Sequence, residues 1–252
     1  MSNGSAASVP HGELVRALSP ARLGPYRRRS STEEEAVCLY LWNLALSREL
    51  YPILNSVEVA LRNTIHAAAT AHFGTPEWFR DPTILRHDPR QQSMVDEAQY
   101  SLWRDQNLPV GAIRRGHAPL PAPSPVDDHL AALTFGFWTG IMNAPYELRL
   151  WNAGPGGTNL SHAAFPHAGR RYRRRSVIFP PVDRLRKLRN RVSHNEPILW
   201  WHPSLQQEHQ SACTVLGWIS PALATLVRCV DGFEAAYRSG HMHYLTQITL
   251  TA

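Results

Sequence analysis

Asp183-Arg184-Leu185-Arg186-Lys187-Leu188-Arg189-Asn190-Arg191-Val192-Ser193-His194-Asn195-Glu196-Pro197 is the stretch on which the fold and the chemistry of this chain turn. At about 100° per residue, Val182, Leu185, Leu188 and Val192 fall on one face of a helix and make a core face. Asn190 and His194 fall together on the opposite face, one turn apart. Arg189 lies on the flank, with a side chain long enough to curl toward the same cleft. Arginine neutralises phosphate charge and histidine moves a proton near neutral pH, so one helix offers two groups suited to phosphodiester chemistry. The same residues also read as a plain polar helix end, with His194 favourably placed against the C-terminal dipole. Alone, an Arg-x4-His pattern is common by chance.

Outward from this helix, apolar residues recur at helical and not strand spacing. Ser31-Thr32-Glu33-Glu34-Glu35 holds two overlapping capping boxes, Ser31 with Glu34 and Thr32 with Glu35, ahead of Val37, Tyr40, Leu41 and Leu44. Pro52 is placed to open a further helix carrying Leu54, Val57, Leu61, Ile65 and Ala68, which Gly74 and Pro76 stop. Helices are also expected over about 91–106, 126–142, 181–193 and 206–228, with a short one around Phe233, Ala236 and Tyr237. Period-2 runs are nearly absent, so the fold class is all-α, a helical bundle. Residues 1–11 read as a disordered tail and 12–252 as one domain. Two loop insertions interrupt it, at about 108–125, which holds five prolines, and at about 152–176.

Composition narrows the function classes. The chain has 252 residues, 43% of them hydrophobic, which excludes a wholly disordered polymer. No run of roughly 18 uncharged apolar residues occurs, so no membrane span is expected. Met1–Pro10 lacks the basic and apolar regions of a secretory signal. Cys38, Cys213 and Cys229 are too few and too scattered for a disulfide framework, and a cytoplasmic location fits. Of 26 basic residues against 20 acidic, Lys187 is the sole lysine and the others are arginine. A formal charge of +6 and an arginine-rich surface are compatible with a polyanionic partner such as RNA.

The quoted helix resembles a known family. Arg189-Asn190-x-x-x-His194 is similar to the R-[polar]-x(3–5)-H signature of HEPN ribonucleases, and Leu188 to Pro197 looks like the C-terminal motif of their Abi-like (abortive infection) branch. Leu18-Ser19-Pro20-Ala21-Arg22-Leu23 with Tyr26, Leu39-Tyr40-Leu41-Trp42-Asn43, Glu58-Val59-Ala60-Leu61-Arg62-Asn63 and Phe135-Gly136-Phe137-Trp138 resemble further blocks of that branch, in order, over about residues 14–200. The resemblance implies a HEPN bundle, a homodimer with the site at its interface, and RNA cleavage without a metal or other cofactor. It implies His194 as general acid or base, Arg189 as the group stabilising the phosphorane, and Asn190 as the group that orients the histidine or hydrogen-bonds the phosphate. It also implies a place in phage defence or a toxin–antitoxin pair, with an antitoxin or inhibitor as a possible partner. Some members keep the fold without activity, so a silent module binding RNA, nucleotide or protein is the alternative.

Other residues have competing readings. Glu58 and Arg62, spaced i, i+4, read as a surface ion pair or as support for the site. Asn63 reads as a substrate contact or a cap. Arg186, Arg191 and the run Arg170, Arg171, Arg173 and Arg174 are candidate RNA contacts, though the run is most simply a solvated loop. His66 and His72 read as ordinary histidines. His162 with His167, and His241 with His243, lack acidic or cysteine partners nearby, so no metal site is expected. The tryptophans, among them Trp42, Trp138, Trp151, Trp200, Trp201 and Trp218, read as core or dimer interface.

Overall fold

The computed structural model describes residues 6–151 and 160–251. In chain order these form strand β1 (Ala7–Pro10) and helices α1 (His11–Leu18), α2 (Pro20–Arg27), α3 (Glu33–Phe73), α4 (Pro89–Asp105), α5 (Val110–Arg114) and α6 (Val126–Ala132). Then come α7 (Phe135–Gly140), α8 (Leu160–Ala164), α9 (Arg175–Ser193), α10 (Leu205–Ile219), α11 (Pro221–Val227), α12 (Phe233–Ser239) and strand β2 (Ile248–Thr251). The class is all-α, as the periodicity indicates. The described residues divide between two compact units. Those within 1–55, 187–211 and 225–252 form the first, and those within 56–186 and 212–224 the second.

In the first unit, Leu23 and Tyr26 of α2 are fully buried, and Tyr26 packs with Ala36 and Leu39 of α3. The Tyr26 ring meets Tyr40 edge-on at 5.7 Å. Its hydroxyl is buried without a hydrogen-bond partner among the described residues, and desolvation pushes its pKa up to about 12. The Thr32 box forms at the start of α3. Glu35 N–H donates to Thr32 Oγ1 at 3.1 Å, while the Glu35 carboxylate accepts from Ser31 N–H at 2.6 Å. Pro52 does not open a new helix, because α3 runs through it. A proline inside a helix costs about 3 kcal/mol, and burial of Leu50, Ile53 and Leu54 around it outweighs that.

Part of the expected disordered tail is instead structured. Ala7–Pro10 pairs in parallel with Ile248–Thr251, and Ala7 N–H donates to Gln247 O at 2.8 Å. A strand whose partner lies at the far end of the chain leaves no local signal. Residues 1–5 of that tail lie outside the described residues.

In the second unit, Trp78, Phe79 and Trp138 are fully buried, with Trp78 edge-on to Trp138 at 6.3 Å. Asp88 caps α4, and Tyr146 donates its hydroxyl proton to Leu85 O at 3.0 Å, with Asp88 Oδ2 at 3.1 Å. Where α7 meets α4, Gly140 leaves room for the end of the Gln91 side chain, which a Cβ there would displace. Several expected boundaries move. The 126–142 helix splits into α6 and α7 because Leu133 turns extended at ψ 131. The proline-rich 108–125 segment is not simply an exposed loop: α5 buries Val110 and Ile113 against Trp103. The 206–228 helix breaks after Ile219, where Pro221 has no N–H to continue it and Ser220 Oγ accepts from Leu223 N–H. Helix α9 begins six residues before Pro181, so Arg175 is helical.

Candidate active site

The site is built on the end of α9. Leu188 is fully buried and Val192 nearly so, which fixes the roll of the helix and leaves Arg189 and Asn190 half-buried and His194 exposed. His194 N–H completes the ladder by donating to Asn190 O at 2.9 Å. Beyond it, Asn195 N–H donates to Val192 O at 3.1 Å and Glu196 N–H to Arg191 O at 2.8 Å, with Asn195 in the left-handed region at φ 53. This is a Schellman cap with asparagine at the left-handed position. It makes His194 the C-cap residue, directly after the last helical residue Ser193, and leaves it exposed.

The turn after His194 is clamped by two other helices of the first unit. Arg22 of α2 donates from NH1 to Asn195 O. Asn43 of α3, only 1% exposed, accepts from Ile198 N–H at 2.7 Å, and its Nδ2 lies 3.5 Å from Glu196 O. Arg191 braces the same turn from outside. It pairs with Glu196 at 3.4 Å, donates to Pro197 O at 3.2 Å and lies 5.5 Å from the centroid of the Trp201 ring. Sequence reasoning assigned Arg22 and Asn43 no role, although both stand in blocks it singled out. Their buried or backbone-directed polar groups are the signal, and it exists only in three dimensions.

Arg189 NH1 lies 3.4 Å from Asn190 Oδ1, so two of the three motif residues touch. Arg189 also lines a pocket of about 130 Å³ with Tyr51, Leu54, Asn55, Val192 and Ser193. Tyr51 is 59% exposed and stands one turn before Asn55 on α3, which gives the pocket an aromatic rim and an amide. Sequence reasoning missed both; their i, i+4 spacing was the available clue. His194 is not among the residues lining this pocket. A cation with an amide against it can bind an anionic oxygen, and the exposed imidazole of His194, outside that pocket, can exchange a proton.

The remaining candidates have local partners or belong to the second unit. Glu58, Arg62 and Asn63 belong to the second unit, where Arg62 Nε donates to Asn63 Oδ1 at 3.3 Å. Arg186 is held by Asp183, with N–O distances of 3.0 and 2.7 Å, so its charge is met locally. Arg191 is likewise engaged by Glu196. The run 170–175 is more than a solvated loop: Arg173 donates to Ala168 O and Pro166 O, and Arg171 lies 4.6 Å from the centroid of the Tyr172 ring.

The histidine pairs have separate partners. His241 faces Glu35 at 3.5 Å, His243 meets Gln247 at 2.8 Å, and His162 accepts from Arg173 at 3.2 Å. His66 is an ordinary half-buried histidine whose Nδ1 accepts the Trp78 indole proton at 3.2 Å. Trp138 and Trp151 are core residues, whereas Trp200 is 37% exposed beneath the Arg29 guanidinium at 4.1 Å. No family model, curated protein or solved structure matches this chain.

Proposed function

We propose that the chain is a HEPN-type endoribonuclease that works without a metal ion, acting in the cytoplasm as a phage-defence effector or the toxin of a toxin–antitoxin pair. The observation that carries the reading is the presentation of His194. A solvent-exposed imidazole stands at the end of α9 on a turn held by Asn43 and Arg22, and Arg189 and Asn190 touch one turn earlier. Rigid support beneath an exposed proton carrier is what a catalytic group needs and what a merely polar helix end does not.

The reaction requires one proton removed and one donated. A histidine takes the proton of a ribose 2′-hydroxyl, and that oxygen bonds to the adjacent phosphorus. The bond from phosphorus to the 5′-oxygen breaks, and a second protonated histidine supplies the leaving oxygen's proton. The products are a 2′,3′-cyclic phosphate and a 5′-hydroxyl. Arg189 neutralises the charge that grows on the non-bridging oxygens. One chain offers one motif histidine, so the reading pairs two copies with their α9 ends facing across a two-fold axis.

The test is cleavage of total RNA and of a defined oligonucleotide by the purified chain in EDTA. Expected are products ending in 2′,3′-cyclic phosphate, and no cleavage at a 2′-deoxy position. Activity that vanishes in EDTA and returns with magnesium, with RNA folding controlled, would overturn the proposal. RNA binding without cleavage would favour a silent module.

A further inference from the structure

The second unit holds a pocket of about 290 Å³ whose chemistry is almost entirely cationic. Arg170, Arg173, Arg174 and Arg175 line it, with His162 and Ser176, over a floor that includes Trp151. One carboxylate, Glu147, also lines it, and Arg175 engages that group alone through Nε and NH2, both at 3.0 Å. The other three guanidinium groups have no carboxylate partner among the described residues. Like charges held together in a recess repel one another, and the arrangement is relieved by an anion.

The cations are of two kinds. Arg173 and Arg175 are fixed. Arg173 donates to Ala168 O, to Pro166 O at 2.8 Å and to His162 Nδ1 at 3.2 Å. Arg175, with its side chain 11% exposed, adds a bond to Met142 O at 3.1 Å. Each guanidinium has five N–H groups, so both keep donors beyond these bonds in a set position. Because an arginine cannot accept, His162 Nδ1 is the acceptor in their contact, and in the neutral ring Nε2 carries the proton as a further donor. Arg170 and Arg174 make no side-chain hydrogen bond or ion pair among the described residues, and both are exposed. Ser176 sits in the first turn of α9, whose positive end adds to the same field.

Fixed forks beside exposed arginines that have no partner among the described residues make a receptor for bidentate oxyanions. The volume equals that of roughly ten water molecules, enough for a phosphate group and a sugar-sized body. We propose that this pocket binds the phosphate of a small phosphorylated molecule of mononucleotide size, as a site separate from the Arg189–His194 motif. The proposal stands whether or not that motif cleaves RNA.

The test is calorimetric titration of the full chain with adenosine 5′-monophosphate, inorganic phosphate, adenosine and a short single-stranded RNA. Expected is saturable binding of the monophosphate, weaker binding of inorganic phosphate and none of adenosine. Arg170→Ala with Arg174→Ala should weaken the monophosphate roughly tenfold or more at an unchanged ligand-free melting temperature. Arg170→Lys with Arg174→Lys should recover part of the loss. His194→Ala should bind the monophosphate as wild type does, which separates this site from the proposed catalytic one. The proposal is overturned if the monophosphate does not bind, or if the double alanine variant binds it unchanged. It is equally overturned if RNA alone binds through Arg170 and Arg174, making the pocket part of an RNA track.

Discussion

Asn43 Oδ1 accepts the Ile198 N–H at 2.7 Å, so a buried amide on α3 fixes the chain just beyond His194. Asparagine supplies an acceptor for Ile198 and a donor toward Glu196 O from one planar group. Leucine has the volume and neither function. Asn43→Leu leaves a buried backbone N–H unpaired, at a cost of about 1–3 kcal/mol. It should also loosen the turn that carries His194. The melting temperature and the cleavage rate should both fall, and an unchanged melting temperature would show that this bond is not a support.

His194→Ala and Arg189→Ala should differ in kind. His194 is exposed, so its loss should leave stability within about 0.5 kcal/mol and RNA affinity nearly intact. Turnover should drop by about 10²–10⁴-fold. Arg189 meets phosphate before and during the reaction, so its loss should weaken both binding and cleavage. Affinity, single-turnover cleavage and melting of the three proteins make the comparison. Wild-type cleavage by His194→Ala would remove the catalytic reading.

Asn195 should tolerate glycine and reject a β-branched residue. Its φ of 53 is a left-handed conformation that glycine adopts freely, and among the described residues the bonds it makes there are all main-chain. Asn195→Gly should melt close to wild type. Asn195→Val should lose about 1–2 kcal/mol and, by unwinding the cap, displace His194 and lower cleavage. Equal behaviour of the two variants would refute the cap as the device that positions the histidine.

The helix bearing the motif was legible because its signals are local. Leu188 and Val192 repeat at helical spacing, and the roll they fix leaves Arg189 and Asn190 half-buried and His194 exposed, although the pocket that holds Arg189 is not lined by His194. Asn43 and Arg22 were not legible as supports, because their partners, Ile198 N–H and Asn195 O, lie on the far side of the chain. The same reason hid β1, whose ladder needs β2. Proline misled in both directions. Pro52 was given a helix start that burial of its neighbours overrides, while prolines on both sides of Val110–Arg114 concealed a short helix. Arg173 and Arg175 read as charge in a loop because nothing in the sequence shows a guanidinium spending its donors on carbonyls.

Acid should destabilise the second unit through His129. This ring is 2% exposed; its Nε2 donates to Val95 O at 2.9 Å, and its Nδ1 accepts from Arg80 at 3.3 Å. Both nitrogens are therefore committed to the neutral form. Burial chiefly, with the Arg80 charge adding to it, holds the pKa below the usual 6.5. Above that value, native and unfolded chains both carry neutral imidazole, and His129 contributes no pH dependence. As pH falls through it, the unfolded chain takes up a proton that the native state resists, so stability falls with pH. Burial lowers the pKa of His66 in the same direction. His129→Gln keeps a donor for Val95 O and removes the titration. Melting temperatures measured from pH 8 to pH 5 should therefore decline more steeply for wild type than for His129→Gln. Parallel curves would mean that the buried ring is protonated in the folded state and that Arg80 does not oppose it.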